Sequence, residues 1–173
     1  AYRQGLQEAG FEHVKIKVGT SPLLELRAVR EYRAAGFSVR VDANQSFSSV
    51  DDVSAFLDAG VTVLEEPGAL LGSSWGNRLQ PPHTWLGLDE SLLNAMPIDL
   101  TEKDFHTLVL KPTVLGLVRT LGFVRFAQER SRQVYISHSL EGPIAHAMLC
   151  ELSLAFGEVA GVAMPTDARV MFT

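Results

Sequence analysis

The stretch Val14-Lys15-Ile16-Lys17-Val18-Gly19 places two lysines two residues apart in an otherwise apolar run. Alternate residues of a strand share a face, so Lys15 and Lys17 point one way while Val14, Ile16 and Val18 point the other. A lysine withdrawn from water costs several kcal/mol unless something compensates it, and two on one face also repel. The stretch therefore reads as a strand running into a chemical site, with compensating groups supplied from elsewhere in the chain.

Outward from this strand the pattern repeats. A short helix ending at Gly10 precedes it. Ser21-Pro22 opens a helix to about Ala35, with Leu23, Leu26 and Val29 at helical spacing and Gly36 as its stop. The next expected strand is Ser38 to Ala43, followed by a helix from about Ser49 to Ala59 that ends at Gly60. Further strands are expected at Val61–Glu65, Trp85–Asp89, Phe105–Leu110 and Gln133–Ser137, with a weak last one at Val159–Ala163. A Gly-, Ser- and Pro-rich loop is expected from Pro67 to Pro82, a turn or short helix at Pro97–Lys103, and helices at Leu117–Ser131 and Pro143–Phe156. Short apolar strands alternating with helices are the βαβ signature of a parallel sheet.

Each strand delivers a polar residue at its C-terminal end: Lys17, Asp42, Glu65, Asp89, Lys111 and Ser137, in steps of 25, 23, 24, 22 and 26 residues. In a (β/α)₈ barrel such ends converge on one mouth, where the active site lies. About seven βα units are countable against the eight of a closed barrel. The expected fold is thus an α/β, TIM-type barrel over residues 1–173 that is incomplete, lacking one strand and the structure before it.

Asp42, Glu65 and Asp89 would put three carboxylates on successive strand ends. A lone aspartate after a strand is more often a helix cap or a solvent-facing group. Three in register, flanked by lysines, point to a hard divalent cation that removes their repulsion. All-oxygen ligation with open positions suits Mg²⁺ or Mn²⁺ better than Zn²⁺. Crowding by cations lowers the proton affinity of a lysine, which is how a lysine becomes a base near neutral pH. A metal with lysines around it suits stabilisation of a doubly charged oxyanion, an enediolate. Lys15 at a strand edge and Lys111-Pro112 as a plain loop start are the simpler alternatives. Glu66 should point away from Glu65 and make a salt bridge behind the strand. The segment Ser137-His138-Ser139-Leu140-Glu141-Gly142 offers small polar groups for an anion-binding nest ahead of the following helix. His146 and Met148 read as packing residues, and His13, His83 and His106 have no ligand partners at useful spacing.

Composition narrows the classes. The chain has 173 residues, is 46% hydrophobic and 20% charged, and carries a formal net charge of −5. It can build a core, and it has no polybasic patch for nucleic acid or anionic membrane. A single cysteine, Cys150, makes an intrachain disulfide impossible and fits a reducing, cytoplasmic setting. No apolar run reaches membrane-spanning length. Walker, dinucleotide-binding, HExxH and GxSxG motifs do not occur.

KIK at Lys15–Lys17, VDAN at Val41–Asn44, LEEP at Leu64–Pro67, LDES at Leu88–Ser91 and LKP at Leu110–Pro112 together resemble the enolase superfamily. The branch they resemble is the muconate-lactonizing-like one. LDES with VLKPTVLG and ISHSLEG resembles the o-succinylbenzoate synthases in particular, over about Gly10 to Gly161. The motif set is specific for the superfamily and much less so for the substrate. The resemblance implies that Asp42, Glu65 and Asp89 bind Mg²⁺, that Lys17 abstracts a proton α to a carboxylate, and that Lys15 neutralises that carboxylate. Lys111 would lie opposite as a second base or a stabilising charge. Asn44 would orient the ligands from the next layer out, and Ser137, His138, Ser139 and Gly142 would contact the substrate. The implied reaction is syn dehydration of 2-succinyl-6-hydroxy-2,4-cyclohexadiene-1-carboxylate to 2-succinylbenzoate, a step of menaquinone biosynthesis. N-succinylamino acid racemisation, dipeptide epimerisation and muconate cycloisomerisation use the same groups and stay open. So does an inactive barrel fragment with a structural role. The family's N-terminal α+β capping domain has no counterpart here, so a separate chain or a cleaved segment would supply it and the first strand.

Overall fold

A computed structural model describes residues 2–68, 84–100 and 105–160. Helix α1 (Tyr2–Glu8) leads into β1 (His13–Lys17), α2 (Pro22–Ala34), β2 (Ser38–Asp42), α3 (Val50–Asp58), β3 (Val63–Glu65) and β4 (Trp85–Leu88). Two 3₁₀ turns follow, Glu90–Leu93 and Pro97–Asp99, and then β5 (Thr107–Leu110), α4 (Pro112–Leu115), α5 (Leu117–Glu129), β6 (Gln133–Ile136) and α6 (Pro143–Ala160). The strand order follows the chain, β1-β2-β3-β4-β5-β6. The described ladders are parallel. This is the βα architecture of an incomplete parallel barrel. The chain divides into two compact units, Ala1–Gly87 and Leu88–Thr173.

In the first unit the register explains the sequence pattern. Lys15 lies beside Arg40, Arg40 beside Val63, and Val63 beside Trp85. One row on, Lys17 lies beside Asp42, Asp42 beside Glu65, and Glu65 beside Gly87. Because strand side chains alternate, these rows share one face, and it is polar. The opposite face is apolar. Val39, Val41, Leu64 and Leu86 on it are each 0% exposed. Helix α2 packs on β1 and β2 and touches α3. Each such residue contributes about 1.5–3 kcal/mol when fully buried.

Helix α3 starts with a capping box: the Asp52 carboxylate accepts from the backbone N–H groups of Ser48 and Ser49. Helix α2 has proline at its first position, where the missing N–H leaves nothing unpaired. Leu23, expected on its buried face, is 85% exposed, and the buried residues of α2 are Glu25 and Val29.

In the second unit β5 and β6 pair in register from Thr107 with Gln133 to Leu110 with Ile136. Helix α5 covers them, burying Phe123, Val124 and Ala127. The weak strand expected at Val159–Ala163 is not one where it is described. Residues 159 and 160 continue α6, which runs on through Gly157, and residues 161–163 lie outside the described residues. Six strands are described rather than seven units. His83 and nearly all of the loop expected at Pro67–Pro82 lie outside the described residues as well.

Candidate active site

The strand ends carry the polar groups that the spacing predicted. Lys17, Asp42 and Glu65 are the last residues of β1, β2 and β3, and Asp89, Lys111 and Ser137 each directly follow a strand.

In the first unit Lys15 is the hub. Its Nζ lies 2.9 Å from Asp42 Oδ2 and 2.8 Å from Glu65 Oε1. Glu65 Oε2 faces Arg40 Nε at 3.2 Å. Asp42, Glu65 and Arg40 are all buried. Two cations thus face two carboxylates, and the cluster is neutral with all four groups charged. Burial works against the Lys15 ammonium, but the Glu65 and Asp42 carboxylates outweigh it and hold its pKa above the ordinary value. Burial outweighs the pull of Lys15 and Arg40 on the Glu65 carboxyl and leaves its pKa raised, to about 8. Arg40 was not among the candidates from sequence. Its signal was its place two residues before Asp42 in VRVD, on the same face by strand periodicity.

Lys17 differs from Lys15. Its side chain is 73% exposed, its Nζ donates to Asn44 Oδ1 at 2.8 Å, and it lies 3.8 Å from Asp42 Oδ2. Asn44 also donates its backbone N–H to Asp42 Oδ1 at 3.1 Å. Asn44 therefore connects the exposed lysine to the buried carboxylate. Asn44, Gln45 and Glu66 all have positive φ, at 43°, 62° and 39°. Such backbone is uncommon for residues other than glycine and collects at functional sites. Here it is held by mutual bonds. Gln45 donates its backbone N–H to the Glu66 carbonyl at 2.7 Å and its side-chain amide to Glu66 Oε2 at 3.0 Å. A salt bridge was expected of Glu66; the Gln45 side-chain amide is one of its partners. Glu66 is fully buried, directly after β3, with its backbone in the left-handed region.

In the second unit Lys111 Nζ forms an ion pair with Asp89 Oδ2, and lies 3.7 Å from Glu90 Oε1. Asp89 is buried and Lys111 is partly so. The segment after β6 does not present an open nest. Ser139 donates its backbone N–H to Glu141 Oε2 at 2.5 Å, and the Thr113 hydroxyl bonds to Glu141 Oε1. Burial opposes the Glu141 charge, but the Thr113 hydroxyl and backbone amides hold its pKa below the ordinary value. Ser137 is buried, and the His138 ring stands edge-on to His146 with centroids 6.2 Å apart. Ser139 and Gly142 are exposed.

For a divalent cation the donors fit in kind. Carboxylate oxygens of Asp42 and Glu65 already converge on one cationic nitrogen within 2.9 Å. They are hard oxygen donors of the sort Mg²⁺ takes. Among the described residues no group of three or more His, Cys, Asp or Glu side chains gathers as a ready-made metal site.

No family model matches the chain. The chain is 26% identical over 160 residues to a D-Ala-D/L-Ala epimerase of Cytophaga hutchinsonii, covering 86% of this chain and 43% of that protein. Its fold matches the muconate lactonizing enzyme of Pseudomonas putida with a TM-score of 0.74 at 20% identity, covering 96% of this chain and 49% of that one. It matches a dipeptide epimerase from Enterococcus faecalis with a TM-score of 0.69 at 21% identity, over 82% and 44%. The chain thus spans about half the length of the proteins it matches. These likenesses establish the fold. Among the described residues no helix is long and apolar enough to cross a membrane.

Proposed function

We propose that the chain is the barrel portion of an enolase-superfamily enzyme of the muconate-lactonizing-like branch. Its reaction is removal of a proton from the carbon next to a substrate carboxylate. The observation that carries the reading is the Lys15 ammonium held within 2.9 Å of both Asp42 and Glu65, with Lys17 next to it on the same strand face. Burying two carboxylates and two cations together is a poor way to gain stability, so such a cluster speaks for chemistry.

Asp42, Glu65 and Asp89 are the ligands assigned to Mg²⁺ or Mn²⁺, which would supply a Lewis acid for the substrate carboxylate. Lys17 is the base, being exposed enough to meet substrate and carried on a rigid strand. Lys15 holds the substrate carboxylate by charge, and Asn44 orients the Lys17 ammonium. In the dehydration of 2-succinyl-6-hydroxy-2,4-cyclohexadiene-1-carboxylate, Lys17 takes the ring proton. It returns that proton to the departing hydroxyl on the same face, giving 2-succinylbenzoate and water. Lys111 stabilises the developing charge from its own strand end.

A second reading has a specific observation behind it. The similarity to a D-Ala-D/L-Ala epimerase favours a dipeptide as substrate, with Lys17 and Lys111 exchanging the α-proton from opposite sides. The test is incubation in D₂O with Mg²⁺, following α-proton exchange by NMR with the cyclohexadiene carboxylate and with a dipeptide panel. Dehydration needs Lys17 and tolerates loss of the second base better than epimerisation does. Metal-dependent turnover of either substrate, abolished in Lys17→Ala, is the expected result. Turnover that survives in Lys17→Ala would overturn the assignment of the base.

A further inference from the structure

Glu25 is a buried carboxylate that the proposed reaction does not use. It is 8% exposed and takes four hydrogen bonds. The backbone N–H of Gly19 donates to Oε2 at 2.9 Å, and those of Thr20 and Ser21 donate to Oε1 at 2.9 and 2.7 Å. The Thr20 hydroxyl adds a fourth at 2.9 Å. These donors belong to the loop between β1 and α2, which begins directly after Lys17, and the first of them, Gly19, lies two residues from that lysine. A carboxylate spent on three loop amides is shaping the loop rather than the helix that carries it.

The loop so shaped rests on its neighbour. A Cβ on Gly19 would stand 1.9 Å from Ser46 Oγ and 2.6 Å from Ser46 Cβ, and Gly19 has a φ of 111° that disfavours any other residue. Val18 donates its backbone N–H to the Asp42 carbonyl at 2.9 Å. The loop after β1 is thus pressed onto residues 43–46, whose Asn44 side chain accepts from Lys17 Nζ. Lys17 is largely exposed, so its ammonium is placed by the relation between these two loops.

We propose that Glu25 is a positioning residue for Lys17: its carboxylate ties down Gly19, Thr20 and Ser21 and so seats the loop after β1 on the loop whose Asn44 holds the Lys17 ammonium. The inference rests on the reading of Lys17 as the base, and its test has a readout independent of turnover. The chain has four lysines, at positions 15, 17, 103 and 111. Reductive methylation with ¹³C-formaldehyde labels them, and Lys17→Arg identifies the Lys17 signal in a ¹H–¹³C spectrum.

Glu25→Gln should move the Lys17 signal in the same direction as Asn44→Ala, and the double variant should add little further, as expected for two groups acting through one contact. The Lys15 signal should stay, because Asp42 and Glu65 hold it. In exchange assays kcat should fall about tenfold with KM changed less than about twofold. Glu25→Asp, which keeps the charge and withdraws it by one methylene, gives the same readout if the Gln variant does not fold. A Lys17 signal that ignores Glu25 substitution while responding to Asn44→Ala would overturn the inference, as would fully additive shifts. If the signals behave as expected and the unaltered chain exchanges no α-proton, the proposed reaction fails while the positioning role stands.

Discussion

One nitrogen, Lys15 Nζ, neutralises two buried carboxylates at once. Removing it leaves Asp42 and Glu65 facing each other without the ammonium that joined them, with Arg40 beside Glu65 and Lys17 3.8 Å from Asp42. Breaking a buried ion pair from one side costs about 3–5 kcal/mol, and the partial exposure of Lys15 places Lys15→Met near about 3 kcal/mol. Urea unfolding should show that loss, and millimolar Mg²⁺ should recover part of it by taking the vacated cationic position. A variant as stable as the parent, or one indifferent to Mg²⁺, would separate the carboxylate pair from metal binding. Glu25 gives a pH prediction. Burial opposes its charge, but the amides of Gly19, Ser21 and Thr20 and the Thr20 hydroxyl hold its pKa below the ordinary 4.5. A carboxyl depressed in the folded state contributes stability above its unfolded pKa and loses it as pH falls through the folded value. The Tm difference between the parent and Glu25→Gln should therefore be constant near neutrality and shrink as pH drops below 4.5. A difference that grows toward acid would contradict the clamp.

At the scale of elements, the strands were legible because each is a short, largely apolar run with a polar residue at its C-terminal end, and β2 shows how far that goes. VRVD alternates, so Asp42 was placed correctly, and the same alternation placed Arg40 beside it. Arg40 was passed over because an arginine inside a strand reads as a surface group until its partner, Glu65 on the next strand, is known. Contacts that join distant segments leave no local trace. Arg119, on α5, is a case: its Nη2 donates to the carbonyls of Leu92, Leu93 and Ala95 at 2.7, 2.9 and 2.6 Å. Those carbonyls belong to the 3₁₀ turn that begins at Glu90, next to Asp89, and to the residues after it. A 3₁₀ turn has poor internal hydrogen-bond geometry, so this segment depends on the guanidinium for its path. Arg119→Met should destabilise the fold by about 1–2 kcal/mol, the scale of losing charge-assisted hydrogen bonds to part-buried carbonyls. Amide exchange should accelerate from Glu90 to Met96 more than in β5. Uniform acceleration across the unit would mean that Arg119 stabilises the fold as a whole and does not hold this segment.

For the molecule as a whole, the sheet order begins at β1 and ends at β6, so among the described residues each of these strands pairs on one side only. Open edges invite pairing with another chain. Apolar surface adds to this. Leu140, Ile144 and Met148 recur every four residues at the start of α6 and along it, at 85%, 81% and 67% exposure. Spacing of four puts Ile144 and Met148 on one helical line, and Met148 read in the sequence as a packing residue. That part of the reading failed at Met148 for a physical reason: periodicity identifies an apolar face, and whether the face is covered depends on what lies next to it. An uncovered apolar line of this length behaves as an interaction surface. The chain should self-associate as its concentration rises, seen in sedimentation velocity as a shift to faster species. Ile144→Glu combined with Met148→Glu should reduce that shift while leaving the far-UV circular dichroism unchanged. If the double variant associates as strongly as the parent, the strand edges are the surfaces responsible, and a proline in β6 becomes the substitution that separates the chains. A parent chain that stays monomeric at every concentration would instead mean that neither surface is adhesive in solution.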